Sequence, residues 1–147
     1  MVALIVGDDK VTIEDISIAF NMCFPDCVME TTDSGAECLE LIKKIYPDMI
    51  ILDNDLLEND SFNLIRQIRS LYRTPIVFIS DADNTSDLVM AFESGADEYI
   101  KKPIRLLEFM ARSKKLVRRT KIKNMRDHQS TVMKGESREL NRNRKVS

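Results

Sequence analysis

The sequence predicts an α/β domain built on an open, doubly wound parallel sheet in which five strands alternate with five helices. Short continuous apolar runs at 3–6, 49–52 and 75–79 have the pattern of strands that helices cover on both faces. Segments with the helical spacing of apolar residues separate these runs. With 147 residues and 44% hydrophobic content, the chain has room for one such domain and a tail.

The predicted strands differ in how completely they should be buried. In chain order they are ALIV (3–6), CVMETT (27–32), MIIL (49–52), PIVFI (75–79) and DEYI (97–100). The second mixes polar and apolar residues, as an edge strand would, and the fifth is short. Pro47 and Pro75 stand at strand entrances, where a missing amide proton does little harm.

Each predicted helix carries an apolar stripe that is expected to cover a face of the sheet. The stripes are Ile13, Ile16 and Phe20; Leu39, Ile42 and Ile45; Phe62, Ile65 and Ile68; Val89 and Phe92; and Leu107 and Met110. Ser34 followed by Glu37 is a capping-box signature for the second helix, and Asn84 to Asp87 is a looser one for the fourth. Gly95 stands where the fourth helix must end before a strand.

Charge divides the chain into two parts. Residues 1–119 hold 14 Lys and Arg against 21 Asp and Glu, whereas residues 120–147 hold 8 against 3. We therefore expect a domain at 1–119 and a basic linker or tail at 120–147, or the start of a truncated DNA-binding effector domain there. The tail by itself is a weaker candidate for binding DNA, because it lacks interleaved aromatic residues and a helix-turn-helix pattern.

Composition also bears on location and on metal class. No apolar run reaches the roughly 18 residues that span a bilayer, and the first residues lack a basic leader, so a cytoplasmic protein without membrane contact is expected. Cys23, Cys27 and Cys38 have no metal-ligand spacing and are expected to be reduced. His128, the single histidine, is expected to be solvated.

Charged and polar side chains follow four of the predicted strands. They are Asp8 and Asp9 after the first, Asp53 and Asp55 at the end of the third, Ser80 at the end of the fourth, and Lys101 and Lys102 after the fifth. Ligands of open parallel sheets gather beyond the carboxyl ends of the strands, so these side chains are expected to converge. The alternative for any one acid is a helix N-cap.

Such a cluster has a chemical consequence. Crowded carboxylates repel one another, and Mg2+ relieves that repulsion because it takes oxygen ligands. Asp53 is then the natural nucleophile toward a phosphoryl group. Ser80 would donate to one phosphoryl oxygen, and Lys102 would pair with another.

Four stretches occur in the order and spacing of a known family. They are ALIVGDD, PDMIILD, TPIVFIS and GADEYIKKPI, within residues 1–119. Together they resemble the receiver domains of two-component response regulators. The resemblance implies a flavodoxin-like receiver fold with sheet order 2-1-3-4-5 and five helices. It also implies Mg2+-dependent transfer of a phosphoryl group from a sensor histidine kinase to one aspartate, which makes the domain a phosphoacceptor switch and not an enzyme.

The same resemblance implies residue roles. Asp53 is the phosphoacceptor; Asp8, Asp53 and the backbone carbonyl of Asp55 hold Mg2+; Ser80 is the switch hydroxyl; Tyr99 changes rotamer with it; Lys102 pairs with the phosphoryl group; and the Lys102–Pro103 bond is cis. Asp9, which follows the expected pair of acids, is a further candidate Mg2+ ligand that would compensate for Gly7. The chain departs from the family where Gly7 replaces the first of two adjacent acids and where Asp81 follows the switch hydroxyl. Two interpretations stay open: Asp53 is phosphorylated, or the domain is a degenerate dimerisation module that works without phosphate.

A second resemblance concerns the output. The segment KKPIRLLEFMARSKKLVRRTK resembles the last receiver helix of the OmpR/PhoB subfamily, whose members join a receiver to a winged-helix DNA-binding domain. It implies a two-fold homodimer through the fourth helix, the fifth strand and the fifth helix. The predicted interface has an apolar centre of Val89, Phe92 and Met110, with Asp97 or Glu98 facing Arg112 and Arg119 of the second copy. The alternative is that the apolar three are ordinary core or surface residues.

An enzyme is the competing class. IILDNDLL contains the DxD spacing of aspartyl-phosphate phosphohydrolases, in which the first Asp is the nucleophile and the second the acid or base. In that fold the motif follows the first strand, whereas here it follows the third. The sequence therefore favours the switch over the hydrolase.

Overall fold

The structure is a computed structural model, and it describes residues 1–54, 60–83 and 85–120. The strands are β1 (Val2–Val6), β2 (Val28–Thr32), β3 (Met49–Asp53), β4 (Ile76–Ser80) and β5 (Glu98–Lys101). The helices are α1 (Lys10–Cys23), α2 (Gly35–Ile45), α3 (Ser61–Leu71), α4 (Thr85–Ser94) and α5 (106–120). All five predicted strands and all five predicted helices are present. Residues 121–147, where a linker or tail was predicted, lie outside the described residues.

The strands form one parallel sheet in the order β2-β1-β3-β4-β5, which confirms the predicted fold class. Every residue of β3 and of β4 is buried. Helices cover these two strands on both faces, so continuous apolar runs are expected in them. The edge strand β2 is largely exposed, as its mixed composition predicts.

Alternation along the strands sends side chains into two separate cores. Ala3 and Ile5 of β1 face one layer, where Phe20 of α1 packs edge to face against Phe109 of α5. Leu4 and its alternating neighbours face the other layer, which contains the buried residues of α2 and α3. The sheet therefore has a helix layer on each face, and its strand ends stay open.

Short polar side chains start three helices. Asp9, Ser34 and Asp60 are the N-caps of α1, α2 and α3, and each accepts a hydrogen bond from a backbone amide of the first turn. The predicted capping box forms only in part. Ser34 accepts from the Glu37 amide, but the Glu37 carboxylate accepts from the Thr32 hydroxyl at 2.9 Å. The looser signature beginning at Asn84 falls on a residue outside the described ranges.

The predicted stripes of α4 and α5 do not all cover the sheet. Val89 is 43% exposed, Phe92 42% and Leu107 77%. On α4 the small residue Ala91 faces the core instead, and on α5 Phe109 does. The prediction was wrong because α4 is apolar on most sides, so spacing alone could not choose which side packs against the sheet.

The chain bends sharply between α4 and β5, as predicted at Gly95, whose φ is +120°. The guanidinium of Arg69, on α3, lies against this turn and donates to the Gly95 carbonyl from two nitrogens, at 3.0 and 2.7 Å. It also donates to Asp97 Oδ2 at 2.7 Å and to the Thr74 carbonyl at 2.9 Å. Asp97 in turn accepts from the Ile76 amide at 2.8 Å. We call this group the Arg69 clamp; it joins α3 to the starts of β4 and β5.

In the part of the chain that the structure describes, every helix is too short or too polar to cross a lipid bilayer.

Candidate functional site

The centre of the candidate site is Asp53, the last residue of β3. The apolar run before it lies in the middle of the sheet, so its carboxylate is held at the strand end and is only 3% exposed. Lys102 Nζ lies 2.7 Å from Asp53 Oδ2, and the lysine side chain is 14% exposed. The Lys102 amide donates to the Ser80 carbonyl at 2.8 Å, which fixes its backbone beside β4. The Lys102–Pro103 peptide bond is cis, as the family resemblance implies.

Asp9 provides the second carboxylate of the site. Lys102 Nζ lies 3.3 Å from Asp9 Oδ2, so a single ammonium contacts two carboxylates. Thr12 donates its hydroxyl to the same Oδ2 at 2.6 Å, and the Val11 amide donates to Oδ1 at 3.2 Å. The Thr12 hydrogen bond, aided by Lys102, lowers the pKa of Asp9, although partial burial works in the opposite direction. Asp9 is therefore an N-cap and an ion-pair residue at once.

The predicted metal ligands are only partly brought together. Asp9 and Asp53 flank Lys102, whereas Asp8 is exposed between β1 and α1, and Asp55 lies outside the described residues. Within 1–54, 60–83 and 85–120, no three His, Cys, Asp or Glu side chains form a metal-binding group. The donors still suit Mg2+, which takes one or two carboxylates together with waters and phosphate oxygens. The ligand set stays a prediction.

Ser80 and Tyr99 are connected through the loop that follows β4. Ser80 is fully buried, and its Oγ accepts from the Ala82 amide at 3.1 Å. The Tyr99 hydroxyl donates to the Ala82 carbonyl at 3.3 Å, and its ring stacks on Phe78 with centroids 5.8 Å apart. One residue of the loop, Ala82, thus contacts both predicted switch residues, and their switch roles stay predictions.

Two charged residues near the site have other surroundings. Lys101, predicted to converge with Lys102, pairs instead with Asp83 at 2.7 Å. That contact lowers the pKa of the exposed Asp83 carboxylate. Asp81, the departure from the family pattern, is exposed after β4.

The predicted dimer surface on α4, β5 and α5 has exposed apolar side chains. Leu88, Val89, Met90 and Phe92 are each between 38% and 43% exposed. Met110 is only partly exposed and packs against the core. A hollow of about 470 Å³ lies beside Leu88 and Phe92.

The predicted interface charges make contacts within the chain. Arg112 pairs with Glu98 and, at 3.2 Å, with Glu108, while Asp97 belongs to the Arg69 clamp. Arg119 is exposed on α5. The two acids predicted to face a second copy therefore already have basic partners here, so any dimer contact from them would have to be added to or exchanged for these pairs.

Two contributors were missed from the sequence, Thr12 and Arg69. The spacing of Asp9 and Thr12, three residues apart at a helix start, was a usable signal, because a side chain at the third helical position lies beside the N-cap. Nothing local identifies Arg69, whose acceptors at Gly95 and Asp97 are 26 and 28 residues away.

The sequence of this chain is similar to those of response regulators. The profile of the response regulator receiver domain matches residues 3–114. The chain belongs to the response regulator receiver family. Response regulator MprA of Mycobacterium ulcerans (strain Agy99) is 34% identical over 131 residues, which are 88% of this chain and 56% of that protein. MprA of Mycobacterium leprae (strain TN) is 34% identical over 119 residues, which are 80% of this chain and 51% of that protein. This receiver thus spans about half the length of the curated relatives it matches.

Solved structures agree with that assignment. The receiver domain of the TMAO respiratory system response regulator TorR matches with a TM-score of 0.74 and 29% identity, over 80% of this chain and 97% of that one. The BeF3-activated N-terminal receiver domain of Klebsiella pneumoniae RstA matches with a TM-score of 0.70 and 26% identity, over 80% and 99%. The chain is therefore a receiver domain of two-component signalling, a family that generally binds Mg2+ in an acidic pocket.

Proposed function

We propose that this protein acts in the cytoplasm, where Asp53 accepts a phosphoryl group from the phosphohistidine of a sensor histidine kinase, and that this event switches dimerisation to control a DNA-binding output. The observation that carries the proposal is the buried Asp53 carboxylate with Lys102 Nζ at 2.7 Å. A carboxylate that has no function is seldom so deeply buried at a strand end. Burial removes its hydration, and a matched cation must offset that loss.

The proposed transfer uses residues already in place. An Asp53 carboxylate oxygen attacks phosphorus, the bond from phosphorus to the histidine nitrogen breaks, and that nitrogen keeps the electron pair. Lys102 then pairs with a phosphoryl oxygen in place of the Asp53 oxygen it contacts here. Bound Mg2+, held by Asp53 and Asp8, would supply charge neutralisation at the phosphoryl oxygens. Ser80 would donate its hydroxyl to another of those oxygens, while its Oγ accepts from the Ala82 amide.

The acceptor role is tested by incubation with acetyl phosphate or phosphoramidate and Mg2+, followed by intact mass measurement. We expect one added phosphoryl group in the wild type and none in Asp53→Asn. Asp48→Asn is a matched control, because Asp48 precedes β3 and lies at the opposite end of that strand. If neither the wild type nor Asp81→Ala gains the phosphoryl mass, Asp53 is not a working acceptor. The degenerate-module interpretation, which Gly7 favours, would then replace the proposal.

The same reaction separates a switch from an enzyme. We expect stoichiometric transfer to Asp53 and slow loss of the phosphoryl group, without multiple turnover of a generic phosphomonoester. Sustained release of phosphate from p-nitrophenyl phosphate that is abolished in Asp53→Asn would instead support the phosphohydrolase.

The dimer part of the proposal rests on the exposed apolar residues of α4. We expect sedimentation to show a monomer that dimerises when beryllofluoride mimics the phosphoryl group, and Phe92→Ser to weaken that dimer. Leu71→Ser is the control, because Leu71 is 69% exposed on α3, away from the proposed surface. A monomer under both conditions, or equal effects of the two substitutions, would contradict an interface on α4, β5 and α5. The DNA-binding step itself belongs to an effector domain of a longer protein, as in the OmpR/PhoB pattern.

A further inference from the structure

We propose that Thr12 is a positioning residue of the phosphoacceptor site. Its hydroxyl fixes the Asp9 carboxylate, which in turn holds Lys102 beside Asp53. Asp9 thereby takes the place of the acid that the family carries where this chain has Gly7. The inference deepens the proposed function and rests on it only for its catalytic part.

Donors on α1 hold the Asp9 carboxylate in place. Thr12 is 6% exposed and donates to Asp9 Oδ2 at 2.6 Å, while the Val11 amide donates to Oδ1 at 3.2 Å. The carboxylate is therefore held from two sides by donors on the first turn of α1. Lys102 Nζ lies 3.3 Å from the same Oδ2, in addition to its 2.7 Å contact with Asp53. A rotation of Asp9 about its side chain would break the contact with Lys102.

Lys102 needs a carboxylate contact besides Asp53 to stay oriented during phosphoryl transfer. During phosphoryl transfer, Lys102 must exchange its Asp53 oxygen for a phosphoryl oxygen. If Asp53 were its only carboxylate contact, the four-carbon side chain would lose its orientation during that exchange. Asp9 keeps the ammonium at the site because its own position does not depend on Asp53.

The same contacts distinguish Asp9 from Asp8 as Mg2+ ligands. Both oxygens of Asp9 already accept hydrogen bonds from residues that fix the start of α1. Asp8 is exposed beside it, one residue after Gly7. We therefore assign lysine positioning to Asp9 and Mg2+ binding to Asp8.

The test compares five variants with the wild-type chain, one of which, Asp8→Asn, serves only the Mg2+ measurement. Thr12→Val removes the hydroxyl at nearly constant shape, and Thr12→Ser restores it. Asp9→Asn removes the charge but keeps an N-cap side chain, because Asn caps helices as well as Asp does. Thr31→Val is the matched control, on the exposed part of β2. Circular dichroism and thermal melting establish that each variant is folded.

The first measurement is made on unphosphorylated protein. Limited acetic anhydride labelling, followed by peptide mass spectrometry, gives the modification rate of Lys102 relative to Lys101, whose side chain is 51% exposed. We expect the Lys102 rate to rise about threefold or more in Thr12→Val and Asp9→Asn, and to stay near wild type in Thr12→Ser and Thr31→Val. An unchanged Lys102 rate in both Thr12→Val and Asp9→Asn would overturn the proposal, whatever the phosphorylation activity is.

The second measurement concerns the reaction. We expect phosphorylation of Asp53 by acetyl phosphate to slow about tenfold in Thr12→Val and to recover in Thr12→Ser, as for the loss of one charge-assisted hydrogen bond. Calorimetry with Mg2+ alone should give a dissociation constant within about twofold of wild type in Asp9→Asn, and much weaker binding in Asp8→Asn. If Asp9→Asn weakens Mg2+ binding as much as Asp8→Asn does, Asp9 is a metal ligand and the proposal is wrong. If even the wild type is not phosphorylated, the proposed function fails, and the labelling result still decides whether Thr12 and Asp9 position Lys102.

Discussion

The contacts of the Arg69 clamp predict a large effect of Arg69→Ala on the free energy of unfolding. Arg69→Ala removes donors to the carbonyls of Gly95 and Thr74 and to the Asp97 carboxylate. Hydrogen bonds that involve a charged group contribute roughly 1.5–3 kcal/mol each when buried. The arginine side chain is 26% exposed and that of Asp97 is 41% exposed, so water replaces part of the loss. We expect Arg69→Ala to lower the free energy of unfolding by about 3 kcal/mol.

The assay is urea or thermal unfolding followed by circular dichroism. A loss of about 3 kcal/mol corresponds to a fall in Tm of roughly 10 °C for a domain of this size. Arg69→Lys should recover only a minor part, because an ammonium cannot serve acceptors in several directions as the planar guanidinium does. Asp97→Asn should cost less than Arg69→Ala, because the amide oxygen can still accept from the Ile76 amide.

Arg118→Ala, on the exposed side of α5, is the control and should change stability by less than about 0.5 kcal/mol. If Arg69→Ala is no more destabilising than this control, the clamp contributes nothing. The intramolecular role assigned to Asp97 would then have no energetic basis, and Asp97 would again be a plausible contact for a second copy.

Three further predictions concern pH, backbone conformation and thiol reactivity. The pKa of Asp9 in the folded protein is lowered from 3.8. The ionised carboxylate therefore adds to the free energy of unfolding above pH 3.8, and this contribution is lost as the pH falls through the folded pKa. Between pH 7 and pH 3, the Tm of the wild type should fall further than that of Asp9→Asn. Gly95→Ala should lower the free energy of unfolding by about 1–2 kcal/mol in denaturant, because φ is +120° and a Cβ would lie 3.0 Å from the Arg69 side chain. Gly35→Ala, whose nearest contact would be at 3.6 Å, should cost much less. Equal effects of the two substitutions would contradict this prediction. Burial raises the pKa of the Cys38 thiol to about 12. Iodoacetamide at pH 8 should therefore modify Cys23 well before Cys38 in the native protein, and peptide mass spectrometry would measure the two rates. Equal rates of modification would mean that α2 opens readily.

Much of the site was predictable because it follows from strand ends. Asp53 and Ser80 end two strands whose apolar runs are visible in the sequence, and parallel strands bring their carboxyl ends to one edge. Lys102 directly follows β5, so the same reasoning predicts its position at that edge of the sheet. The contact of Lys102 with Asp9 was not predictable, because it depends on how the Thr12 hydroxyl orients a carboxylate within hydrogen-bond distance.

The surface of α4 shows the limit of pattern reasoning. The sequence predicts Val89 and Phe92 both as a stripe that covers the sheet and as an interface centre, and only the structure places them outside the core. Likewise, Asp97 could have faced a second copy, but it accepts from Arg69 within the same chain. The sign of a charge and its position in the sequence do not specify its ion-pair partner when several opposite charges are close enough in the folded protein.

The sequence by itself determined the fold class, the strand order through its family resemblance, and the residues that stand at the carboxyl end of the sheet. Hydrophobic periodicity suffices for the fold class, because burying continuous apolar strands under amphipathic helices leaves few arrangements, whereas the strand order came from the resemblance alone. Tertiary structure alone decided which acids share Lys102, which side of α4 packs inward, and that Arg69 joins α3 to β4 and β5. Those outcomes depend on distances of a few ångströms between residues far apart in the chain, and sequence spacing carries no information about such distances.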